Sequence, residues 1–283
     1  MANRISSQLS PTPKLTFSQI ETAWLENAVS KQSLSPTNFT TYLNCPKNYF
    51  LKNVLRIPQV KSPSQSYGTA IHHALENYFL AFQKNNVQPG KDELLGYYNN
   101  ALKNEYQLNS IDKEKYINDG TNLLSNYYDQ KAPSFQIPIK TEFSFRNIYL
   151  EDIPLSGKLD KIEWLDPKQK TVRVTDYKTG HVKSRNALLG LTKNKDTDYL
   201  YQLKFYWLLA CLDHQFYLKW KIGECQLEFL DSESKFSREA FTFSKKEMDE
   251  LKNEIHNVWR DIQSLKFEHN PNSKYCDLCC LFE

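Results

Sequence analysis

Between Phe135 and Gly180 three strand-like runs follow one another with only short turns between them: FQIPIKTEFSFRNIYL, IPLSGKLDKIEWLD and KTVRVTDYKTG. Connections this short leave no room for a crossover, so neighbouring strands must pair antiparallel and the stretch predicts a β-meander. The flanking texture is helical. SYGTAIHHALENYFLAF carries an apolar stripe at 71, 74, 75, 78, 79 and 82, and DELLGYYNNALKNEY and YINDGTNLLSNYYDQ predict two more helices. Farther upstream, SPTNFTTYLNCPKNYFLKNVL opens with Ser35 as N-cap and Pro36 at the first helical position, and Pro46 interrupts or restarts that helix. After the meander come an apolar helix (DYLYQLKFYWLLACL), two strands (ECQLEFL and EAFTFS) and an amphipathic helix over KKEMDELKNEIHNVWRDIQSLKF. The order predicts an α/β fold, a sheet flanked by helices with an N-terminal helical arm.

The third strand poses a problem. Side chains alternate along a strand, so Asp176 and Lys178 of VTDYKTG share a face with Val172 and Val174. An acid and an amine taken out of water cost several kcal/mol unless compensated. Two readings compete: an ion pair at a strand end before a glycine turn, or a functional site that needs both groups.

Asp160, in LSGKLDKIEW, lies one strand earlier in the meander. Antiparallel neighbours are about 5 Å apart, so Asp160 and Asp176 can face one point. Two carboxylates there repel unless a cation separates them, and hard divalent ions take such oxygen ligands. With Lys178 close by, the set can serve phosphodiester hydrolysis, which an ion pair alone does not explain. His72 could complete the site, although an imidazole on an amphipathic helix is more often structural; His73 lies about 100° around that helix. Gln202 and Tyr206, four apart, share a helix face and could support the site or form an ordinary buried hydrogen-bonded pair.

The 283 residues, 40% hydrophobic and 13% aromatic, are those of a folded chain. A net charge of +3 permits a nucleic-acid partner without requiring one. The longest apolar run, FYWLLACL, is far too short to span a bilayer, and the first fourteen residues lack an apolar core, so a cytoplasmic location and unpaired cysteines are expected. Cys211 and Cys225 are expected to be core thiols. Residues 181–198 are polar and basic and predict a mobile loop, where Lys183, Arg185, Lys193 and Lys195 could contact phosphate or simply be solvated.

Five motifs occur in order: Gly68-x-x-x-His72, the strand acid Glu142, Gly157-x-x-Asp160, Asp176-Tyr-Lys-Thr-Gly180 and Gln202-x-x-x-Tyr206. Together with the Cys45-Pro46 segment they resemble RecB/AddB-like nuclease domains of the PD-(D/E)xK superfamily over residues 33 to 280. Each motif is weak alone; the ordered set is specific. The resemblance implies a restriction-endonuclease-like core with a central mixed sheet, residues 33–283 forming the nuclease domain after a 1–32 extension. Within it a helical segment over 67–132 carries His72, a catalytic core spans 137–268, and a cysteine-rich tail occupies 276–280.

In activity, the resemblance implies a Mg²⁺- or Mn²⁺-dependent deoxyribonuclease, an exonuclease on single-stranded or unwound DNA ends in repair or recombination. His72, Asp160, Asp176 and the main-chain carbonyl of Tyr177 would bind the metal, Lys178 would activate water, and Gln202 and Tyr206 would support the site. The role of Glu142 is less defined. In relatives such a domain often sits beside a helicase; no GK[ST] phosphate loop occurs in the sequence, so the expectation is either a free-standing nuclease or the nuclease piece partnered by a helicase subunit or domain. A CRISPR adaptation nuclease and an inactive DNA-binding module are the alternatives, and RNA remains open as a substrate.

Cys45, Cys276 and Cys279 match the first three cysteines of the iron–sulfur subset of these nucleases, in which four thiolates hold a [4Fe–4S] cluster. The fourth expected position lies beyond Glu283, and Cys280 is adjacent to Cys279. A shortened chain, Cys280 as substitute, a lost cluster and zinc all remain open.

Overall fold

The computed structural model describes residues 21–105, 108–193, 197–231, 236–273 and 279. Two compact units divide the chain: residues 1–58 with 254–283, and residues 59–253.

In the first unit, α1 spans Thr22–Ser30 and α2 spans Pro36–Asn44. Ser35 caps α2 by accepting from the Asn38 N–H, with Pro36 at the first turn, as the sequence predicts. Cys45 breaks the helix in extended conformation and Pro46 restarts it as α3, Pro46–Tyr49, which runs into a π-helical turn over Phe50–Val54. The chain returns after the last helix to dock Phe267 among Tyr42, Tyr49 and Phe50. The Tyr42 hydroxyl donates to the Lys266 carbonyl at 2.8 Å, and Asn270 donates to the Asn44 carbonyl at 2.9 Å.

The second unit opens with α4, Pro63–Asn85, fixed at its start by a Ser62/Gln65 capping box and ended by Asn86 in the left-handed region. The helices α5, Lys91–Lys103, and α6, Ser110–Lys131, pack on it around Tyr78, Phe79, Tyr98 and Tyr127. Three strands follow: β1, Lys140–Leu150, β2, Ile153–Asp166, and β3, Thr171–Lys178. They pair antiparallel in sequence order, the predicted meander.

Next come α7, Arg185–Leu188, α8, Asp198–Leu212, and α9, His214–Tyr217. The crossover lets β4, Lys221–Phe229, pair parallel with β3, and β5, Arg238–Phe241, closes the order antiparallel to β4. The result is the expected α/β architecture, a five-stranded mixed sheet with helices packed against it. The last helix, α10, spans Lys245–Gln263.

Lys161, Glu163, Asp176 and Glu228 are charged side chains buried on the sheet. Lys161 pairs with Glu163 at 3.0 Å and places its ammonium over the rings of Phe79 and Tyr177. Glu228, fully buried, accepts from Arg238 at 2.8 Å and from the Tyr127 hydroxyl at 3.1 Å. A buried charge held this way is costly to orphan: removing one partner leaves the other desolvated and unpaired.

Three expectations need correction. Cys225 is a buried thiol, but Cys211 is exposed, because it follows the last core-facing residues of α8. Residues 181–198 are not one open loop: Ser184 caps α7, Leu188 is fully buried, and Arg185 donates to Glu239 and to the Ala240 carbonyl. Cys45, Cys211 and Cys225 are outside any disulfide, as expected, whereas Cys279, from the stretch where three cysteines crowd together, stands in one. No helix among the described residues is long and apolar enough to cross a membrane.

Candidate active site

β2 and β3 pair from Asp166↔Thr171, through a register shift between Asp166 and Trp164, back to Lys161↔Thr175, and there their pairing ends. The next two residues in register are Asp160 and Asp176, so the strands part where two carboxylates stand across from each other. On its other side β2 stays paired with β1, but that ladder passes from Thr141↔Lys161 to Phe143↔Leu159 and skips Asp160 and Glu142. Glu142 has a φ of 50°, a left-handed conformation that costs a glutamate about 1–3 kcal/mol. A local distortion of this kind re-aims side chains out of the ordinary alternation.

Asp160 is held from two directions. Its Oδ2 accepts the Tyr177 N–H at 2.8 Å, and its Oδ1 lies 3.3 Å from Nδ1 of His72. Burial raises the Asp160 carboxyl, but the His72 charge and hydrogen bond, with the Tyr177 N–H, outweigh it and hold the group below its ordinary value. Burial likewise pulls His72 down, and Asp160 overrides it, so the imidazole sits above its ordinary value.

Asp176 belongs to a second set. Its Oδ1 accepts from Gln202 Nε2 at 2.8 Å and from the Tyr206 hydroxyl at 3.1 Å. The Lys178 ammonium is 2.6 Å from Oδ2, yet no donor is aligned on that buried oxygen, so the contact is an ion pair and not a directed hydrogen bond. Gln202 closes the set: its Oε1 accepts from Lys178 at 2.6 Å while its Nε2 also reaches the Tyr206 hydroxyl at 2.6 Å. Burial, with Asp160 adding to it, raises the Asp176 carboxyl against the pull of Lys178. Burial and Asp176 push the Tyr206 hydroxyl well above its ordinary range, so it serves as a neutral donor.

The two motif glycines explain how helices reach the site. A Cβ on Gly68 would stand 3.0 Å from Thr179 Oγ1, a tighter approach than most side chains make, so glycine there lets α4 carry His72 close against the end of β3. A Cβ on Gly157 would meet Leu209 Cδ1 at 2.5 Å, the approach that seats α8 and its Gln202–Tyr206 face on β2. A cleft of about 760 Å³ opens beside the site, lined by Gly68, His72, Glu142, Lys158 and Thr179 among others. Glu142 pairs with Lys158 at its wall.

The sequence-derived residues His72, Asp160, Asp176, Lys178, Gln202 and Tyr206 therefore come together in one unit. His73 lies on the wall of the same cleft, half exposed and paired with Glu76 instead of the carboxylates of the fork. Tyr199 was not singled out from sequence: its ring lies 4.5 Å from the Lys178 ammonium and 4.3 Å from that of Lys183. Its signal was only its place one turn before Gln202. Of the basic loop residues, Arg185 is engaged with Glu239, and Lys195 lies outside the described residues.

The donors suit a hard divalent cation: two carboxylates across one fork, one bearing a buried oxygen without an aligned donor, and an imidazole beside the other. They are not drawn into one closed shell, since among the described residues the only three converging ligands of this type are Cys45, His269 and Cys279. Of the four cysteines expected as cluster ligands, the early Cys45 and Cys279 of the tail are near each other, and Cys276 and Cys280 lie outside the described residues.

A family model of the PD-(D/E)XK nuclease superfamily matches residues 33–281. No curated protein matches the chain. Among solved structures, a protein from Eubacterium rectale described as a candidate exonuclease is similar at 11% identity, covering 95% of this chain and 93% of its own, with a TM-score of 0.46. The chain belongs to the PD-(D/E)XK nuclease superfamily, and its mixed sheet with flanking helices is the restriction-endonuclease-like core of that superfamily.

Proposed function

We propose that the chain is a divalent-metal-dependent deoxyribonuclease that hydrolyses phosphodiester bonds at single-stranded or unwound DNA ends, with residues 33–283 as the nuclease domain. The observation that carries this reading is the fork at Asp160 and Asp176, with Lys178 and Gln202 on the same side of it. An acid–lysine pair alone needs no second acid across the strand and no helix glutamine tying the two together.

In this reading His72, Asp160 and Asp176 hold Mg²⁺ or Mn²⁺ together with the Tyr177 carbonyl. When bound, such an ion neutralises phosphate charge and makes water a better nucleophile at neutral pH. The chain's own groups do the rest. Tyr177, through its N–H, fixes the Asp160 carboxylate toward the fork. Lys178 places a positive charge where negative charge grows on the phosphate oxygens, an interaction stronger in the transition state than in the ground state. Gln202 holds the ammonium in place by accepting from it, and Tyr206 orients Asp176 by donating to it. Tyr199, between Lys178 and Lys183, offers an aromatic face beside two cations, a setting suited to a nucleotide's base and phosphate. Lys158 and Lys61 on the cleft wall add phosphate contacts, exchanging Glu142 and Glu105 as partners.

A role in repair or recombination, with a helicase subunit or domain supplying the unwound strand, follows from the resemblance to RecB/AddB-like domains. The test is cleavage of linear and circular single- and double-stranded DNA by the purified chain with Mg²⁺ or Mn²⁺, beside EDTA and Lys178→Ala controls. Metal-dependent cutting of linear single strands that vanishes in both controls is expected. Cutting of circles as fast as of linear DNA would overturn the end-directed reading, and cutting insensitive to both controls would overturn the site.

A further inference from the structure

The first unit holds a second cluster of ligating groups. Cys45 Sγ lies 3.5 Å from His269 Nδ1 and 3.7 Å from Cys279 Sγ, and all three ligand atoms are within 4.8 Å of one another. Cys45 and Cys279 are buried, while His269 is exposed. We propose that these three residues bind a single zinc ion, with His269 supplying a ligand that an all-cysteine iron–sulfur site would not contain.

The distances carry the argument. With Zn–S about 2.3 Å and Zn–N about 2.0–2.1 Å, a tetrahedral ion separates two sulfurs by about 3.8 Å and a sulfur from a nitrogen by about 3.5 Å. The observed separations match both edges. They do not match a disulfide, whose sulfurs are about 2.05 Å apart. Nor do they match a four-iron cluster, where each thiolate holds a different iron and the sulfurs stand farther apart than ligands of one ion. Mixed thiolate and imidazole donors in tetrahedral arrangement are the preference of zinc.

The surroundings pre-position the ligands. Cys45 is fixed between two helices: its N–H donates to Thr41 O at 3.0 Å and its carbonyl accepts from Tyr49 at 3.1 Å. His269 is flanked by two anchors, Phe267 among the aromatic rings and Asn270 bonded to the Asn44 carbonyl. Residues 224 and 234 apart in sequence are thereby brought to one point, so the ion would join the beginning and the end of the described chain. A further donor completes the tetrahedron. Cys279 stands in a disulfide in this structure, and zinc requires its thiolate, so the metal-holding form is the reduced chain.

The experiment measures metal in the full chain purified with a phosphine reductant and without chelator, by mass spectrometry, and then replaces the metal with Co²⁺. One zinc per chain is expected, and cobalt should give the intense visible bands and thiolate charge transfer of a tetrahedral sulfur–nitrogen site. His269→Ala and Cys45→Ser should each weaken cobalt binding by about 10- to 100-fold or more, whereas His256→Ala should leave it unchanged. X-ray absorption of the zinc-loaded wild-type chain decides the ligand question without a variant that must fold. A mixed sulfur–nitrogen shell supports the assignment, and a sulfur-only shell overturns the role of His269. Iron with acid-labile sulfide, or a reduced, folded chain that takes up neither zinc nor cobalt, would overturn the site itself.

Discussion

The Tyr177 N–H donates to Oδ2 of Asp160 at 2.8 Å, and the bond stands where the ladder between their strands has just stopped. A side chain thus takes a backbone donor that pairing would otherwise have used, which keeps the fork open without leaving a buried N–H unsatisfied. The same carboxylate is the one that meets His72.

Asp160→Asn separates these two duties. Its amide oxygen can still accept the Tyr177 N–H and its NH₂ can face His72, so stability should change by no more than about 1 kcal/mol. The negative charge is gone, and DNA cleavage should fall by about 100-fold or more. Denaturant unfolding and initial rates on the same preparation check both. An Asn variant that cleaves normally would remove Asp160 from the metal-binding set.

Gln202 touches Lys178, Asp176 and Tyr206, and its contribution to cleavage passes through Lys178. Gln202→Ala alone should slow cleavage by about 10-fold or more, less than Lys178→Ala. The double variant should be no slower than Lys178→Ala, since residues acting as a unit are not additive. Losses that multiply in the double variant would mean that Gln202 contacts DNA independently of the lysine.

Gly157 is set by packing. An added methyl would stand 2.5 Å from Cδ1 of the buried Leu209, so Gly157→Ala should cost about 1–3 kcal/mol. Leu209→Val trims the opposing side chain, and the double variant should lose less than the sum of the two single changes. Chemical denaturation of the four proteins measures this directly, and strict additivity would show that the clash is relieved elsewhere.

Much of this arrangement was legible in the sequence, for identifiable reasons. The strands of the meander alternate and are joined by short turns, so their order and pairing followed from local pattern. The helix over 198–212 was read in full because it is apolar nearly all round and too long for a strand. Gln202 and Tyr206 could be placed on one face by spacing alone. Glycines 68 and 157 were visible as motif letters, but the atoms that would crowd a side chain, Thr179 Oγ1 and Leu209 Cδ1, belong to distant segments. His269 was missed for the same reason: no spacing rule links it to Cys45, and its only signal was to lie ten residues before Cys279. The buried Lys161–Glu163 pair and the buried Glu228 carboxylate that meets Arg238 were equally hidden, since a strand's charged residues read as its wet face until a helix covers them. Cys211 erred in the opposite direction, since an apolar neighbourhood in sequence does not say which side of a helix end is covered.

The start of α10 offers a prediction in pH. Ser244-x-x-Glu247 forms a capping box: the Ser244 N–H donates to Glu247 Oε2 at 2.9 Å, and the Glu247 N–H donates to Ser244 Oγ at 3.3 Å. Ser244→Ala should cost about 1 kcal/mol of stability. The Ser244 N–H holds the Glu247 carboxyl below its ordinary value of 4.5, against a smaller upward push from burial. A carboxyl depressed on folding stabilises the protein fully above its unfolded value, and that contribution disappears as pH falls through the lower folded value. Glu247→Gln keeps the reciprocal bond but has no charge to lose. The stability gap between wild type and Glu247→Gln should therefore be present at about pH 7 and narrow by about pH 3. Urea unfolding of both proteins across that range measures it. A gap that stays constant would assign the effect to side-chain shape, and one that widens at low pH would reverse the sign of the electrostatic argument.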